Sequence, residues 1–133
     1  MPKLSNTAPV ARPPVDAELE MEDVLALAAR ALDEKKGENL LVLDVTEQVD
    51  YLDYLIIVTG QTELHNQTLA NNLTETLAHY DIMPDGLNGQ RSGDWILVDY
   101  GVFVVHIFLA RLREFYRLEE LWAGGREVEV NLA

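Results

Sequence analysis

The stretch Asp94–Phe108, DWILVDYGVFVVHIF, is almost continuously apolar, yet it contains an indole, a carboxylate and an imidazole at Trp95, Asp99 and His106. An imidazole and a carboxylate can exchange protons with a substrate, or they can hold a metal ion. Together with an indole, they can also form the contact surface for a protein partner. The other residues of the chain decide between these three kinds of chemistry.

Metal binding and nucleophilic catalysis lack the further residues that they require. The chain has no cysteine, which excludes thiolate metal sites and a cysteine nucleophile. His65, His79 and His106 show no two-ligand spacing, so no metal site is predicted. Ser92 lies in no nucleophile-elbow motif. Gly60 follows a predicted strand and precedes a helix, a position that can hold a phosphate, but the segment TGQTE matches neither a P-loop nor a dinucleotide fingerprint.

The carboxylates do not form the pair that nucleotidyl transfer needs. That chemistry uses a Gly-Ser turn and two carboxylates one residue apart on a strand, which hold Mg²⁺. Gln61 follows Gly60, Asp50 and Asp53 are three positions apart, and Asp44 is alone in its strand. The sequence therefore predicts no catalytic residues and no cofactor. The alternative, a nucleotide-binding or nucleotidyltransferase-type enzyme, would require Mg²⁺-dependent nucleotide binding and activity that depends on these aspartates.

Hydrophobic periodicity predicts one α/β domain with a mixed β-sheet flanked by helices. We expect a disordered, proline-rich leader at residues 1–15, the domain at 16–122 and a flexible tail at 123–133. Helices are predicted from an Asp16 N-cap to about Glu34, from a Thr62 N-cap to about Tyr80 and over Leu112–Trp122. Strands are predicted at Leu40–Val45, Tyr54–Thr59, Met83–Leu87, Trp95–Tyr100 and Val102–Phe108.

The last two strands are predicted to form a hairpin with Tyr100-Gly101 at its tip. A two-residue loop would place Asp99 opposite Val102 and Trp95 opposite His106. One face of the hairpin would then be amphipathic, with Trp95, Leu97, Asp99, Val102, Val104, His106 and Phe108. The other face would be apolar and would pack on the helices, with Ile96, Val98, Tyr100, Phe103, Val105 and Ile107. The amphipathic face has the composition of an interface hot spot, or it is a half-buried sheet in which Asp99 binds a turn amide.

Charge favours a basic protein partner over nucleic acid. The 133 residues include 10 Lys and Arg against 23 Asp and Glu, a net charge of −13. Phosphate backbones would repel such a chain, whereas a basic protein would be attracted; acidity also favours solubility. No apolar run is long enough to cross a bilayer, and the N-terminus has no signal-peptide pattern. These features predict a cytoplasmic protein without a membrane partner.

Residues 19–122 resemble the Iojap family, the ribosomal silencing factors. Four segments carry the resemblance, namely ALDEKKGENLLVLDV at Ala31–Val45, DYLIIVTGQTELHNQTLANNL at Asp53–Leu73, DGLNGQRSGDWILVDYGVFVVHIF at Asp85–Phe108 and REFYRLEELW at Arg113–Trp122. The resemblance implies a nucleotidyltransferase-like fold without activity. It also implies binding to the fourteenth protein of the large ribosomal subunit, which blocks joining with the small subunit and represses translation under nutrient limitation. Homodimers are a further implication, with the monomer binding the ribosome.

The resemblance also implies which residues contact the partner. These are Trp95, Asp99, Tyr100 and His106 of the hairpin, supported by Tyr116 and Leu118. Trp95 would be the desolvated aromatic anchor, and Asp99 would pair with a Lys or Arg of the basic ribosomal protein. Val102 departs from the family pattern, in which an acidic residue commonly follows the Asp-x-Gly turn. In the predicted register Tyr100 points away from the other hairpin residues, so it would act at the tip.

Overall fold

Residues 19–116, 124–130 and 132 are described in a computed structural model of the chain. The predicted leader at 1–15, the predicted Asp16 cap and Leu118 lie outside the described residues.

The described residues form a six-stranded mixed sheet and three helices, which confirms the predicted α/β fold class. The sheet order is β3-β4-β5-β2-β1-β6, with β2 and β5 parallel and the other neighbouring strands antiparallel. The helices are α1 (Met21–Glu34), α2 (Glu63–Ala78) and α3 (Ala110–Tyr116). The strands are β1 (Glu38–Asp44), β2 (Tyr54–Gly60), β3 (Gly86–Asn88), β4 (Trp95–Asp99), β5 (Phe103–Leu109) and β6 (Arg126–Glu127). None of the helices in these ranges is long and apolar enough to cross a membrane.

Helix α1 begins at Met21, with Glu20 as the N-cap residue. The Asp23 carboxylate accepts a hydrogen bond from the Glu20 N–H at 3.1 Å, which satisfies one of the backbone donors that a helix start leaves free. The helix ends before Lys36, which has a φ of 64°, the left-handed conformation that commonly terminates helices.

Helix α2 begins where the sequence predicts it. The Thr62 side-chain oxygen accepts a hydrogen bond from the His65 N–H at 3.0 Å. An N-cap of this kind satisfies one of the free amides of the first turn. The predicted cap at Thr62 is therefore confirmed.

Thr62→Ala is expected to lower the free energy of unfolding by about 1 kcal/mol, because alanine cannot accept the His65 amide hydrogen bond. Urea unfolding followed by circular dichroism measures the change. Thr68→Ala is the matched control, since Thr68 is exposed within the same helix and alanine there has the higher helix propensity. Equal stability of the two variants would contradict the capping role.

Two apolar clusters lie on opposite faces of the sheet. The larger one packs α1 and α2 against buried residues of β2, β4 and β5, including Ile56, Val98 and Val105. The smaller one lies on the other face, where Val45 and Leu52 of the 45–53 connection and Leu112 of α3 pack against residues of β1, β2 and β5. On this face, side chains of β4 and β5 remain partly exposed.

A buried arginine attaches α3 to the sheet. Arg113 is 8% exposed, and its guanidinium donates to the Thr59 hydroxyl at 2.9 Å and to the Asn39 carbonyl at 2.7 Å. Asn39 lies at an irregularity of β1 and has a φ of 52°. Buried guanidinium groups need such acceptors, so the bulge positions the carbonyl that Arg113 binds.

The segment predicted as a tail after residue 122 contains the last strand. Arg126 and Glu127 pair with Asp44 and Leu43 of β1, and the Val128 N–H donates to the Val42 carbonyl at 2.8 Å. Arg126 also forms an ion pair with Asp44 at 2.7 Å. The assignment of 123–133 to a tail outside the domain is therefore wrong for residues 124–130. The alternating segment REVEV at 126–130 is the strand signal that the glycines before it obscured.

Candidate functional site

The β4–β5 hairpin has a register two residues away from the predicted one. Asp99 pairs with Val104, Leu97 with His106 and Trp95 with Phe108. The turn is centred on Gly101 and Val102, with Gly101 at a φ of 84° and the Tyr100 N–H donating to the Phe103 carbonyl at 2.9 Å. The predicted pairings of Asp99 with Val102 and of Trp95 with His106 are wrong.

The predicted division of the hairpin into two faces is nevertheless confirmed. Side chains alternate with a period of two, so a shift of two residues leaves each side chain on the same face. Ile96, Val98, Phe103, Val105 and Ile107 are buried on the helix side. On the other side lies a group of partly exposed residues, which we call the open face: Trp95, Leu97, Asp99, Val104 and His106.

Trp95 and His106 are hydrogen-bonded to each other across the open face. The indole N–H of Trp95 donates to His106 Nδ1 at 3.0 Å, although the two residues are diagonal neighbours. The indole ring also packs on Phe108, with ring centroids 5.4 Å apart. These contacts hold a large aromatic ring in one orientation at the border between the open face and the smaller apolar cluster.

His106 is neutral at physiological pH. Burial lowers the pKa of its imidazole from 6.5 to about 4, because removing a charged ring from water is unfavourable. The hydrogen bond from Trp95 requires the same state, since Nδ1 can accept only when it carries no proton. The imidazole therefore has its proton on Nε2.

Acidification is expected to destabilise the protein through His106. Because the folded-state pKa is about 4, the unfolded chain binds this proton more tightly, and stability is lost as the pH falls from about 6.5 towards 4. Urea unfolding measures the free energy of unfolding at about pH 7 and about pH 5. Between these two pH values it should fall by about 1–2 kcal/mol more in the wild type than in His106→Phe. A loss of equal size in both proteins would contradict the assignment to His106.

Asp99 shapes the tip of the hairpin. Its Oδ1 accepts a hydrogen bond from the Gly101 N–H at 2.7 Å, and its backbone carbonyl accepts from the Asp85 N–H at 2.7 Å. The carboxylate thus satisfies a turn amide, which is the structural role that the sequence left open. It is also partly exposed, so the turn contact and a contact with a partner are compatible.

Tyr100 does not join the other hairpin residues. Its ring stacks on Phe103 at a centroid distance of 4.8 Å and an interplanar angle of 15°, and it packs against the helix-side cluster. Its hydroxyl is buried and has no hydrogen-bond partner among the described residues, and burial raises its pKa to about 12. The tyrosine therefore stabilises the turn from the helix side. Tyr116 ends α3, and its side chain lies outside the described residues.

The region that could hold a phosphate is filled by the protein's own groups. The Gln61 N–H donates to His65 Nδ1 at 2.9 Å, and the His65 and Asn66 amides of α2 donate to the Thr62 side chain and carbonyl. Asn66 is fully buried and packs so closely on Gly60 that a Cβ there would lie 1.9 Å from its Oδ1. These contacts engage three of the backbone amides near the helix start, where a phosphate would bind.

The aspartates considered for metal binding are dispersed. Hydrogen bonds from Thr46, and secondarily the contact with Arg126, lower the pKa of the Asp44 carboxyl. Asp50 and Asp53 are exposed in the connection before β2. Over the described ranges, no three His, Asp or Glu side chains lie close enough together to hold a metal ion.

Two members of the open face, Leu97 and Val104, were not among the predicted site residues. The two-residue alternation of the strands places them there, so the sequence contained the signal. Arg113 was also missed as an anchor, because a lone arginine on a predicted helix gives no sign of burial.

The fold and this surface define a small α/β domain in which one sheet face is covered by helices and the other presents a partly exposed aromatic and apolar area. The family described as "Ribosomal silencing factor during starvation" matches residues 18–132. The chain belongs to the ribosomal silencing factor family, as its motifs predicted.

Individual relatives agree with this assignment. The "Ribosomal silencing factor RsfS" of Chromobacterium violaceum is 33% identical over 81% of this chain and 88% of its own length. The crystal structure of a Chromobacterium violaceum protein is 31% identical and superposes with a TM-score of 0.77, covering 86% of this chain and 95% of the other. A crystal structure from Bacillus halodurans is 32% identical with a TM-score of 0.73, covering 82% and 99% of the two chains.

Proposed function

We propose that this protein silences ribosomes by binding the large subunit through the open face. Its partner would be the fourteenth protein of that subunit, and the bound factor would block joining with the small subunit. Translation would then be repressed when nutrients are limiting, in the cytoplasm where ribosomes assemble. The observation that supports this proposal best is the partly exposed Trp95, held by His106 and Phe108 on the face of β4 and β5 that α1 and α2 do not cover.

The composition of the open face suits a protein contact. Leu97 and Val104, opposite His106 and Asp99, supply apolar area along the open face, and interfaces of this kind have aromatic centres with polar groups at the edge. An oriented aromatic ring loses little conformational freedom on binding, so most of its burial contributes to affinity. The open face therefore has the physical properties of a preorganised docking surface.

Charge supports a basic partner. The chain carries a net charge of −13, and two carboxylates, Asp85 and Asp99, lie beside the hairpin tip. Opposite potentials accelerate encounter and suppress binding to wrong partners. We propose that a Lys or Arg of the ribosomal protein lies next to Asp99 in the complex. We further propose that the monomer is the form that binds, with any homodimer dissociating first.

Sedimentation with purified ribosomal particles tests the proposal. The protein should sediment with free large subunits and not with small subunits. When it is added before the subunits are mixed, it should also reduce the fraction of joined ribosomes. Absence of binding to every particle would refute the ribosomal function, and Mg²⁺-dependent nucleotide binding would then be measured. Asp33→Asn is a suitable control variant, because Asp33 is exposed on α1, which packs on the opposite face of the sheet, and the substitution should leave binding unchanged.

A further inference from the structure

His106 differs from every other group of the open face in what it can offer a partner. Leu97 and Val104 are aliphatic, Asp99 only accepts hydrogen bonds as a carboxylate, and the indole N–H of Trp95 is already donated to His106 Nδ1 at 3.0 Å. That bond leaves the imidazole proton on Nε2. None of the described residues accepts a hydrogen bond from Nε2.

We infer that His106 Nε2–H is the directional hydrogen-bond donor of the open face, and that the partner must place an uncharged acceptor, such as a backbone carbonyl, against it. This inference rests on the proposed function and adds the chemistry of the partner's contact surface. A cation would not suit this position, because the imidazole has only a donor to present there. A carbonyl buried without the donor would be left unsatisfied, which is unfavourable.

The position of Asp99 adds a second requirement. His106 of β5 pairs with Leu97 of β4, and Asp99 lies two residues beyond Leu97 on β4. His106 and Asp99 are therefore about 7 Å apart along the strand direction. A matching surface would thus carry an acceptor over His106 and a Lys or Arg about 7 Å away. This two-point arrangement specifies one orientation of the partner on an otherwise apolar area, and it makes His106 a specificity-determining residue.

Three substitutions separate a donor role from a role in holding Trp95. Asparagine places its amide oxygen near the position of Nδ1 and can still accept from Trp95, but it has no group at Nε2. Glutamine reaches the position of Nε2 with an amide N–H. Phenylalanine keeps the ring shape and loses both nitrogens. If Nε2–H is the donor, His106→Gln should bind better than His106→Asn; if the histidine only holds the indole, the order should be reversed.

Affinity for isolated large subunits is the measurement. We expect His106→Asn and His106→Phe to bind on the order of tenfold more weakly than the wild type, and His106→Gln to remain within about threefold. His79→Asn and His79→Gln are the matched controls, because His79 is exposed at the C-terminal end of α2, and both should bind like the wild type. Circular dichroism confirms that each variant is folded at the assay temperature.

Each outcome has a distinct meaning. Suppose that the wild type binds large subunits. If His106→Asn then binds as tightly as the wild type, or more tightly than His106→Gln, the donor role is wrong while the proposed function stands. If the wild type binds no ribosomal particle, the proposed function fails and the inference fails with it. Nitrogen NMR of the free protein provides a readout without ribosomes: a proton on Nε2 at neutral pH is expected, and a proton on Nδ1 would overturn the inference.

Discussion

Trp95→Ala is expected to weaken binding to the large ribosomal subunit by about 2 kcal/mol or more, which corresponds to roughly a thirtyfold loss of affinity. The indole is the largest side chain of the open face, and it is held by a hydrogen bond to His106 and by packing on Phe108. A rigid aromatic group that becomes fully desolvated on docking is the usual centre of an interface hot spot. Alanine removes the apolar area and leaves His106 Nδ1 without its donor.

The loss of affinity must be distinguished from a loss of folding stability, because Trp95 also packs against the smaller apolar cluster. Trp95→Phe is the second variant: it keeps an aromatic ring but cannot donate to His106, so an intermediate affinity is expected. Leu64→Ala is the control for removal of an exposed apolar side chain, since Leu64 is 71% exposed on α2, and it should bind normally. Sedimentation is carried out at a temperature at which circular dichroism shows all variants folded. Wild-type affinity of a folded Trp95→Ala protein would exclude the open face as the docking surface.

Gly60→Ala is expected to lower the free energy of unfolding by about 3 kcal/mol, at the upper end of the range typical of overpacked cores. A Cβ at residue 60 would lie 1.9 Å from Asn66 Oδ1 and 2.9 Å from its Cγ. Asn66 is fully buried and donates to the Gly93 carbonyl at 2.8 Å, so it cannot move aside without leaving that carbonyl unsatisfied. Chemical denaturation measures the change.

A double-mutant cycle identifies the cause of that loss. In an Asn66→Ala background the clash is absent, so adding Gly60→Ala should destabilise the protein by at least about 1.5 kcal/mol less than in the wild type. Gly86→Ala is the matched control, because its nearest neighbour would be Asp99 Cβ at an ordinary 3.8 Å, and its effect should stay within about 0.5 kcal/mol. Additive effects of the two substitutions would show that Asn66 is not what excludes a side chain at residue 60.

The elements that the sequence predicted well are those in which a local pattern carries the information. Strand β2 and the β4–β5 hairpin are apolar runs, and their alternation assigned Ile96 and Val98 to the covered face and Trp95 to the other. Thr62 was recognised as a cap because it precedes a helical stripe and can accept a backbone hydrogen bond. The family followed from motifs that extend over most of the chain, and residues 18–132 match it.

The errors have a physical origin in non-local contacts. A hairpin shifted by two residues has the same side-chain alternation, so the pattern could not distinguish a turn at Tyr100-Gly101 from the observed turn at Gly101-Val102. The strand β6 is two residues long, so the alternation of REVEV is too short a signal by itself, and the strand forms by pairing with β1. Tyr100 lies on the helix side, as its position in the alternation predicted, and its contact with a partner at the hairpin tip stays a prediction.

The sequence by itself determined the family, the α/β class and the two faces of the hairpin, because each is set by residue types repeating at fixed local intervals. Only the tertiary structure decided the rest: that Trp95 donates to His106 across a diagonal, that Arg113 is buried against Thr59, and that Asn66 fills the space over Gly60. These are distances between strands and helices whose relative placement results from packing of the whole core, and no local interval in the chain encodes them.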